Sequence, residues 1–255
     1  AANVARAAEE RGIPTLVEFF GARCAERLAA ERGRADLIVA NNVLAHVPAL
    51  NDFVDGIRIL LAARGVATFE FPHLLRLMLG NQFDTIYHEH FSYFSLLAAE
   101  RVLAGHGLRA FDVDELPTHG GSLRLYVCLA DGAQPGRGRA LERVAASEQS
   151  AGLEKLEVYA AFGLQVEKTK RALLEFMIGA KRAGKRIAAY GAAAKGNTLL
   201  NYCGLRGDFI DYVVDLNPHK QGRFLPGTHI PIKHPDRIRE TRPDYLLILP
   251  WNIKE

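Results

Sequence analysis

The feature that most narrows the fold is an alternation near the start of the chain. Residues 36–40, Asp-Leu-Ile-Val-Ala, form a short apolar run closed by Asn41 and Asn42. Residues 50–63 follow, with Phe53, Ile57, Leu60 and Leu61 on one side of a helix. Residues 65–71 are the next strand, and Pro72 stops it. A short continuous apolar run is what a strand buried on both faces requires. Strands alternating with helices in this way predict a parallel sheet covered on both sides. Ligands of such sheets sit beyond the carboxyl ends of the strands. With a further strand expected over residues 15–20, that rule singles out Phe19 and Phe20, Asn41 and Asn42 with His46, and the chain from Glu70 onward.

The remaining elements follow from the same signals. Helices are expected over residues 3–11, 22–31 and 96–106, the last stopped by Gly107. Residues 109–116 and 122–129 read as an antiparallel pair of strands. Residues 131–139 hold Gly, Pro and Gln and read as a linker. A long helix is expected over residues 153–181, with Leu156, Tyr159, Val166, Leu173 and Met177 packing as core between domains. A second α/β unit follows: a strand at 186–190, a small-residue turn at 191–198, a helix at 199–203, and strands at 210–215 and 245–249. The fold class is therefore α/β. Its expected domains are residues 1–130, a linker and connecting helix at 131–182, and residues 183–255.

Composition excludes several classes. The chain has 255 residues, 49% of them hydrophobic, enough for one large or two modest cores. Formal net charge is +3, and the basic residues are scattered, which argues against a nucleic-acid surface. No apolar run is long enough to cross a membrane, and no signal peptide is evident. Cys24, Cys128 and Cys203 are far apart, with no Cys-x-x-Cys, so they read as small core residues in a cytoplasmic protein. The chain opens inside a helical pattern without methionine and stops just after a strand, so it reads as cut at both ends.

The chemistry concentrates in residues 83–93, Phe-Asp-Thr-Ile-Tyr-His-Glu-His-Phe-Ser-Tyr. As a strand, Ile86, His88 and His90 share one face; as a loop, all the side chains are free to converge. Imidazole, carboxylate and phenol together can move protons near neutral pH. A polar loop with capping histidines is the plain alternative. His88-x-His90 with Glu89 and a distant His46 or His73 also has metal-ligand spacing, a weak signal.

Two glycine-rich turns invite ligand readings. Residues 117–122, Pro-Thr-His-Gly-Gly-Ser, lead into Arg124, a fixed cation. The turn after Tyr190 is not a phosphate loop, because Asn197 stands where the lysine belongs. As a dinucleotide fingerprint it is weak, because Ala193 replaces the middle glycine, although Asp215 ends the next strand. Small residues, a helix N-terminus and Lys195 still make an anion site, with a diphosphate the natural occupant. Each turn also reads as a plain connection with no ligand.

Residues 83–93, with Asn-Asn-Val-Leu-Ala-His-Val at 41–47 before them and His-Gly-Gly-Ser-Leu-Arg at 119–124 after them, resemble the deoxysugar C-methyltransferases. Residues 191–201 and 215–222 resemble the C-terminal domain of that family. The resemblance implies a class I (Rossmann-like) methyltransferase domain over residues 1–130 that lacks its first strand and glycine-rich loop. A helical connector and a second Rossmann-like domain follow, with the active site between the two domains. The family's zinc-binding N-terminal domain is absent, so zinc is expected only there and none in this chain. The implied reaction is methylation of a carbon alpha to the ketone of a nucleotide-linked 4-ketosugar, of the dTDP type, by S-adenosylmethionine. By resemblance His90 is the general base, with Tyr87, Glu89 and His46 in the catalytic cluster and no role for His88. From their places at the strand ends Phe19, Asn41 and Asn42 are assigned to the cofactor, and from the two small-residue turns Lys195, Asn197, Gly121, Ser122 and Arg124 are assigned to the substrate. The alternatives are an NAD-dependent oxidoreductase using residues 191–196, a non-catalytic nucleotide-sugar-binding fragment, and a metal enzyme.

Overall fold

A computed structural model describes residues 2–134 and 136–253. Its helices are α1 (Ala2–Glu9), α2 (Ala22–Arg32), α3 (Leu50–Leu60), α4 (Leu74–Leu79), α5 (Leu96–Gly105), α6 (Arg139–Ser150), α7 (Leu156–Arg182), α8 (Ala194–Cys203) and α9 (Asp236–Thr241). Its strands are β1 (Ala35–Asn41), β2 (Leu61–Pro72), β3 (Leu108–Leu116), β4 (Ser122–Leu129), β5 (Ile187–Tyr190), β6 (Val213–Val214), β7 (Ile232–Lys233) and β8 (Tyr245–Ile248). The chain divides into two compact units. The first runs through His73 and adds Phe91–Leu116 and Ser122–Glu148; the second takes Leu74–His90, Pro117–Gly121 and the chain from Gln149 on.

In the first unit the sheet order is β1-β2-β4-β3. β1 runs parallel to β2, while β4 is antiparallel to both β2 and β3. The expected pair 109–116 and 122–129 is therefore present, but the sheet is mixed rather than parallel. β2 is one of the two inner strands, with Ala67, Phe69 and Phe71 wholly buried. α3 lays Phe53, Val54 and Ile57 against the same core. Ser95 caps α5 by accepting a hydrogen bond from the Ala98 N–H, which fixes where that helix starts.

Three expectations are corrected here. Residues 15–20 form no strand, and Leu16, Val17 and Phe19 are exposed. β1 is the edge of the sheet, and its outer side is left unpaired because residues 15–20 do not add to it as a strand. β1 itself is not buried on both faces, since Leu37 and Val39 are 61% and 60% exposed. The helix expected over 50–63 stops at Leu60, because the wholly buried Leu61 already belongs to β2.

α6 starts where the expected linker ends, in a stretch whose sequence signals predict no helix. Leu141, Val144 and Glu148 are its buried positions, at helical spacing. Glu148 is 0% exposed and accepts hydrogen bonds from the Leu96 and Leu97 N–H groups and from His73 Nε2. It therefore satisfies the open N-terminus of α5 from another helix. This pairing accounts for His73, which lies buried on Glu148 rather than beside another histidine.

In the second unit all four strands are parallel, in the order β7-β6-β5-β8. The strand expected over 210–215 shrinks to Val213–Val214. Met177, Leu200, Ile210 and Val213 are wholly buried in its core. The apolar row on α7 is only partly core, because Leu156 is 83% exposed while Met177 is 0%. The expected turn at 191–198 is mostly helix: α8 begins at Ala194, so Lys195, Asn197 and Thr198 lie in its first turns. Gly196 packs against Leu249, the residue after β8, and a Cβ there would lie 2.5 Å from that of Leu249. All three cysteines are buried, as expected, and burial pushes each thiol's pKa up. No described helix is long and apolar enough to cross a membrane.

Candidate active site

Residues 83–93 are not a strand. Phe83–Thr85 make one 3-10 turn, and turns and bends carry the chain on to Phe91. The 3-10 turn is buried and locked locally: the Thr85 N–H and hydroxyl both donate to the Gln82 carbonyl, at 3.1 and 2.8 Å. Its last carbonyl, that of Thr85, faces His90. His90 Nδ1 lies 2.9 Å from that oxygen. A carbonyl oxygen only accepts, so Nδ1 carries the proton. In the neutral ring the lone pair is then on Nε2. The Tyr87 ring is tilted 31° to the imidazole with centroids 4.6 Å apart.

Tyr87 is half-buried. Burial raises its phenol pKa first, and the Glu89 and Asp84 carboxylates raise it further. Glu89 and His88 are exposed. Among the described residues no group of three or more His, Cys, Asp or Glu is arranged to hold a metal.

A second set of side chains supports the turn from behind. Asp84 is 4% exposed, and its Oδ2 accepts from the Trp251 indole N–H at 2.7 Å. Lys195 Nζ stands over the Trp251 ring, 4.7 Å from its centroid. This nitrogen is buried without a hydrogen-bond partner, as is Asn197 Oδ1. Burial lowers the Lys195 pKa, against the pull of Asp84. Gly120 closes the cluster, its carbonyl accepting from Gln82 Nε2 at 2.8 Å. Its φ is 90°, and a Cβ would lie 2.7 Å from both Gln82 and Trp251, so only glycine fits. Beside the turn, a cleft of about 400 Å3 is walled by Phe83, Ile86, Tyr159, Phe162, Val166 and Tyr202.

The other expected site residues are spread more widely. In the first unit His46 is exposed at the end of a 3-10 turn (Leu44–His46). The carbonyl before it, that of Ala45, accepts from the Phe91 N–H at 2.8 Å. Phe19 is 99% exposed, and Asn41 and Asn42 are exposed at the end of β1. Asn42 takes φ 53° and donates its N–H to Glu70. Ser122 is buried at the start of β4. Arg124 faces Glu70 across the β2–β4 ladder, with 2.7 Å between Nη2 and Oε2. In the second unit Gly121 packs on the Arg76 side chain.

Sequence reasoning missed Thr85, Asp84 and Trp251. The only signals were an aspartate inside the histidine run and the lone tryptophan. Asp215 has also changed meaning. Its carboxylate accepts from the Ala192 and Asn217 N–H groups and from Lys220 Nζ. It is thus committed to its own turn, which leaves less of it for the ribose of a dinucleotide.

The sequence matches the C-methyltransferase C-terminal domain family over residues 117–255 and a methyltransferase domain family over residues 5–113. It is 38% identical over 252 residues to the C-methyltransferase NovU of Streptomyces niveus, covering 99% of this chain and 60% of that protein. A SAM-dependent methyltransferase of Anabaena variabilis shares 14% identity over 49% of this chain and 63% of its own, at a TM-score of 0.38. Another from Thermotoga maritima, described as a possible histamine N-methyltransferase, shares 16% over 49% of this chain and 69% of its own, also at 0.38.

Proposed function

The chain belongs to the C-methyltransferase family, and from that premise we propose that the whole protein methylates a carbon alpha to a ketone. The proposed methyl donor is S-adenosylmethionine, and the proposed acceptor is a nucleotide-linked 4-keto-deoxysugar. The observation that carries this reading is the imidazole of His90, held by the Thr85 carbonyl with its lone pair on Nε2. A base in that state removes a proton alpha to a ketone, provided the enolate is stabilised as it forms. Tyr87, beside the same ring and kept protonated, is the donor for the enolate oxygen. The resemblance adds His46 and Glu89 to this set.

Phe19, Asn41 and Asn42 are the proposed cofactor contacts. An exposed aromatic face and two exposed carboxamides suit an adenosine, one by stacking and the others by hydrogen bonds to hydroxyls. When bound, S-adenosylmethionine supplies an electrophilic methyl group on a sulfonium. Lys195, whose Nζ has no hydrogen-bond partner, and Asn197, through its side-chain amide N–H groups, are the proposed contacts to the diphosphate in the first turns of α8. Gly121, Ser122 and Arg124 remain proposed substrate contacts, although Arg124 is already paired with Glu70. The aromatic cleft beside Phe83 suits a planar ring.

His90→Gln tests the base. Turnover of the complete protein should fall by about 10³–10⁴-fold. Solvent-deuterium exchange at the alpha carbon, run without the methyl donor, should fall with it while the fold is kept. Near-normal exchange in the variant removes His90 from the role.

A further inference from the structure

Asp84 bears on the proposed chemistry only through its charge, which helps keep Tyr87 protonated, yet it is a charged residue at only 4% exposure. Burying a carboxylate costs stability unless its oxygens are well paired. One oxygen accepts from the Trp251 indole; the other is buried with no hydrogen-bond partner in the structure. Burial raises the Asp84 pKa, which the indole bond and Lys195 offset only in part. Its burial is therefore only partly compensated. What distinguishes it is position. It is the middle residue of the Phe83–Thr85 turn, and the next carbonyl is the one that receives the His90 Nδ1 proton.

That carbonyl is held from two directions. Gln82, ahead of it, accepts from the Thr85 N–H and hydroxyl and is itself tied to Gly120. Asp84 anchors the turn to Trp251, a side chain 167 residues away in sequence. Trp251 is in turn confined by Gly120 at its edge and by Lys195 over its face. The Thr85–Ile86 peptide is tied within the turn by the Ile86 N–H to the Phe83 carbonyl at 2.9 Å, so what the Asp84 anchor adds is the placement of the whole turn against the imidazole.

We propose that Asp84 is a positioning residue: by anchoring its turn to Trp251 it holds the Thr85 carbonyl against His90 and fixes the tautomer that leaves the lone pair on Nε2. The effect on turnover rests on His90 being the base; the effect on the tautomer does not.

The test is NMR of the His90 ring nitrogens in 15N-labelled protein, at a pH where the ring is neutral, alongside kcat and KM. Wild-type His90 should carry its proton on Nδ1. Asp84→Ala should give a mixture of tautomers and lower kcat by about 10–100-fold, since small misplacements of a reacting group are costly. KM should stay within roughly twofold, as expected of a group that acts on the transition state. Asp84→Asn keeps an acceptor for the indole N–H and should recover the tautomer and most of the turnover. Trp251→Phe removes the donor instead and should reproduce the alanine result, which covers the case of an alanine variant that does not fold. A wild-type tautomer in Asp84→Ala or Trp251→Phe overturns the proposal. A shifted tautomer in a protein where His90→Gln still turns over leaves the positioning role standing and removes His90 as base.

Discussion

At Tyr87 three influences act in one direction. Burial, Glu89 and Asp84 all raise a phenol pKa that begins near 10 in free tyrosine. The hydroxyl therefore stays protonated across the range in which imidazole titrates, and Tyr87 can donate but not abstract. Tyr87→Phe should lower turnover by about 10²-fold, the usual cost of one donor to a developing oxyanion. The ratio to wild type should be the same from pH 6 to pH 9. A loss equal to that of His90→Gln, with one limb of the pH profile gone, would make Tyr87 the proton carrier. The pairing of Tyr87 with His90 is legible in the sequence, because they lie three positions apart in one run. The Thr85 carbonyl is not, because a backbone acceptor carries no residue-type signal.

Among the elements, the turn between β5 and α8 shows how a loop is held by one side chain. Gly191 donates its N–H to Val214, and Asp215 takes the next N–H, that of Ala192. Burial alone would push the Asp215 pKa up. The Asn217 and Ala192 N–H groups and Lys220 outweigh it, so the carboxyl is held below its ordinary value. The folded state then binds this proton less tightly than the unfolded chain. The stability it contributes is fully present above the unfolded pKa, about 4, and is lost as pH falls through the lower folded value. Asp215→Asn should cost about 1.5–3 kcal/mol at pH 7, the range for hydrogen bonds to a charged group. Urea unfolding should show that gap narrowing below about pH 4. An equal gap at pH 7 and pH 3 would mean that Asp215 acts by shape rather than charge. The element itself was legible as a small-residue connection after a strand, but its role was not. An acid at the end of the next strand reads as a ribose ligand until its partners are seen.

For the whole molecule, each unit closes its own apolar core, and each leaves large apolar side chains exposed. Leu37 and Val39 point the same way from the edge strand β1, with Leu16, Val17 and Phe19 also exposed. An open edge with an apolar face invites self-association. The 255-residue chain should therefore associate in sedimentation runs, and Val39→Lys should shift it toward monomer with unchanged circular dichroism. Association unaffected by the substitution would clear this face of the effect.

Sequence alone determined the α/β class, most of the strands and helices, and the run that holds Tyr87 and His90. Those rest on spacing along the chain, and a helical or alternating period already states which side chains share a face. It erred at residues 15–20, whose strand-like pattern does not pair with the open edge of β1, and at β1, where a run suited to full burial sits on that edge. Only the tertiary structure decided which atoms meet. Arg124 lies against Glu70 through strand register, Glu148 caps α5 from a separate helix, and Trp251 reaches Asp84 across 167 positions. Periodicity assigns faces, but the partner of a buried polar atom is set by distance through space, and that requires the folded chain.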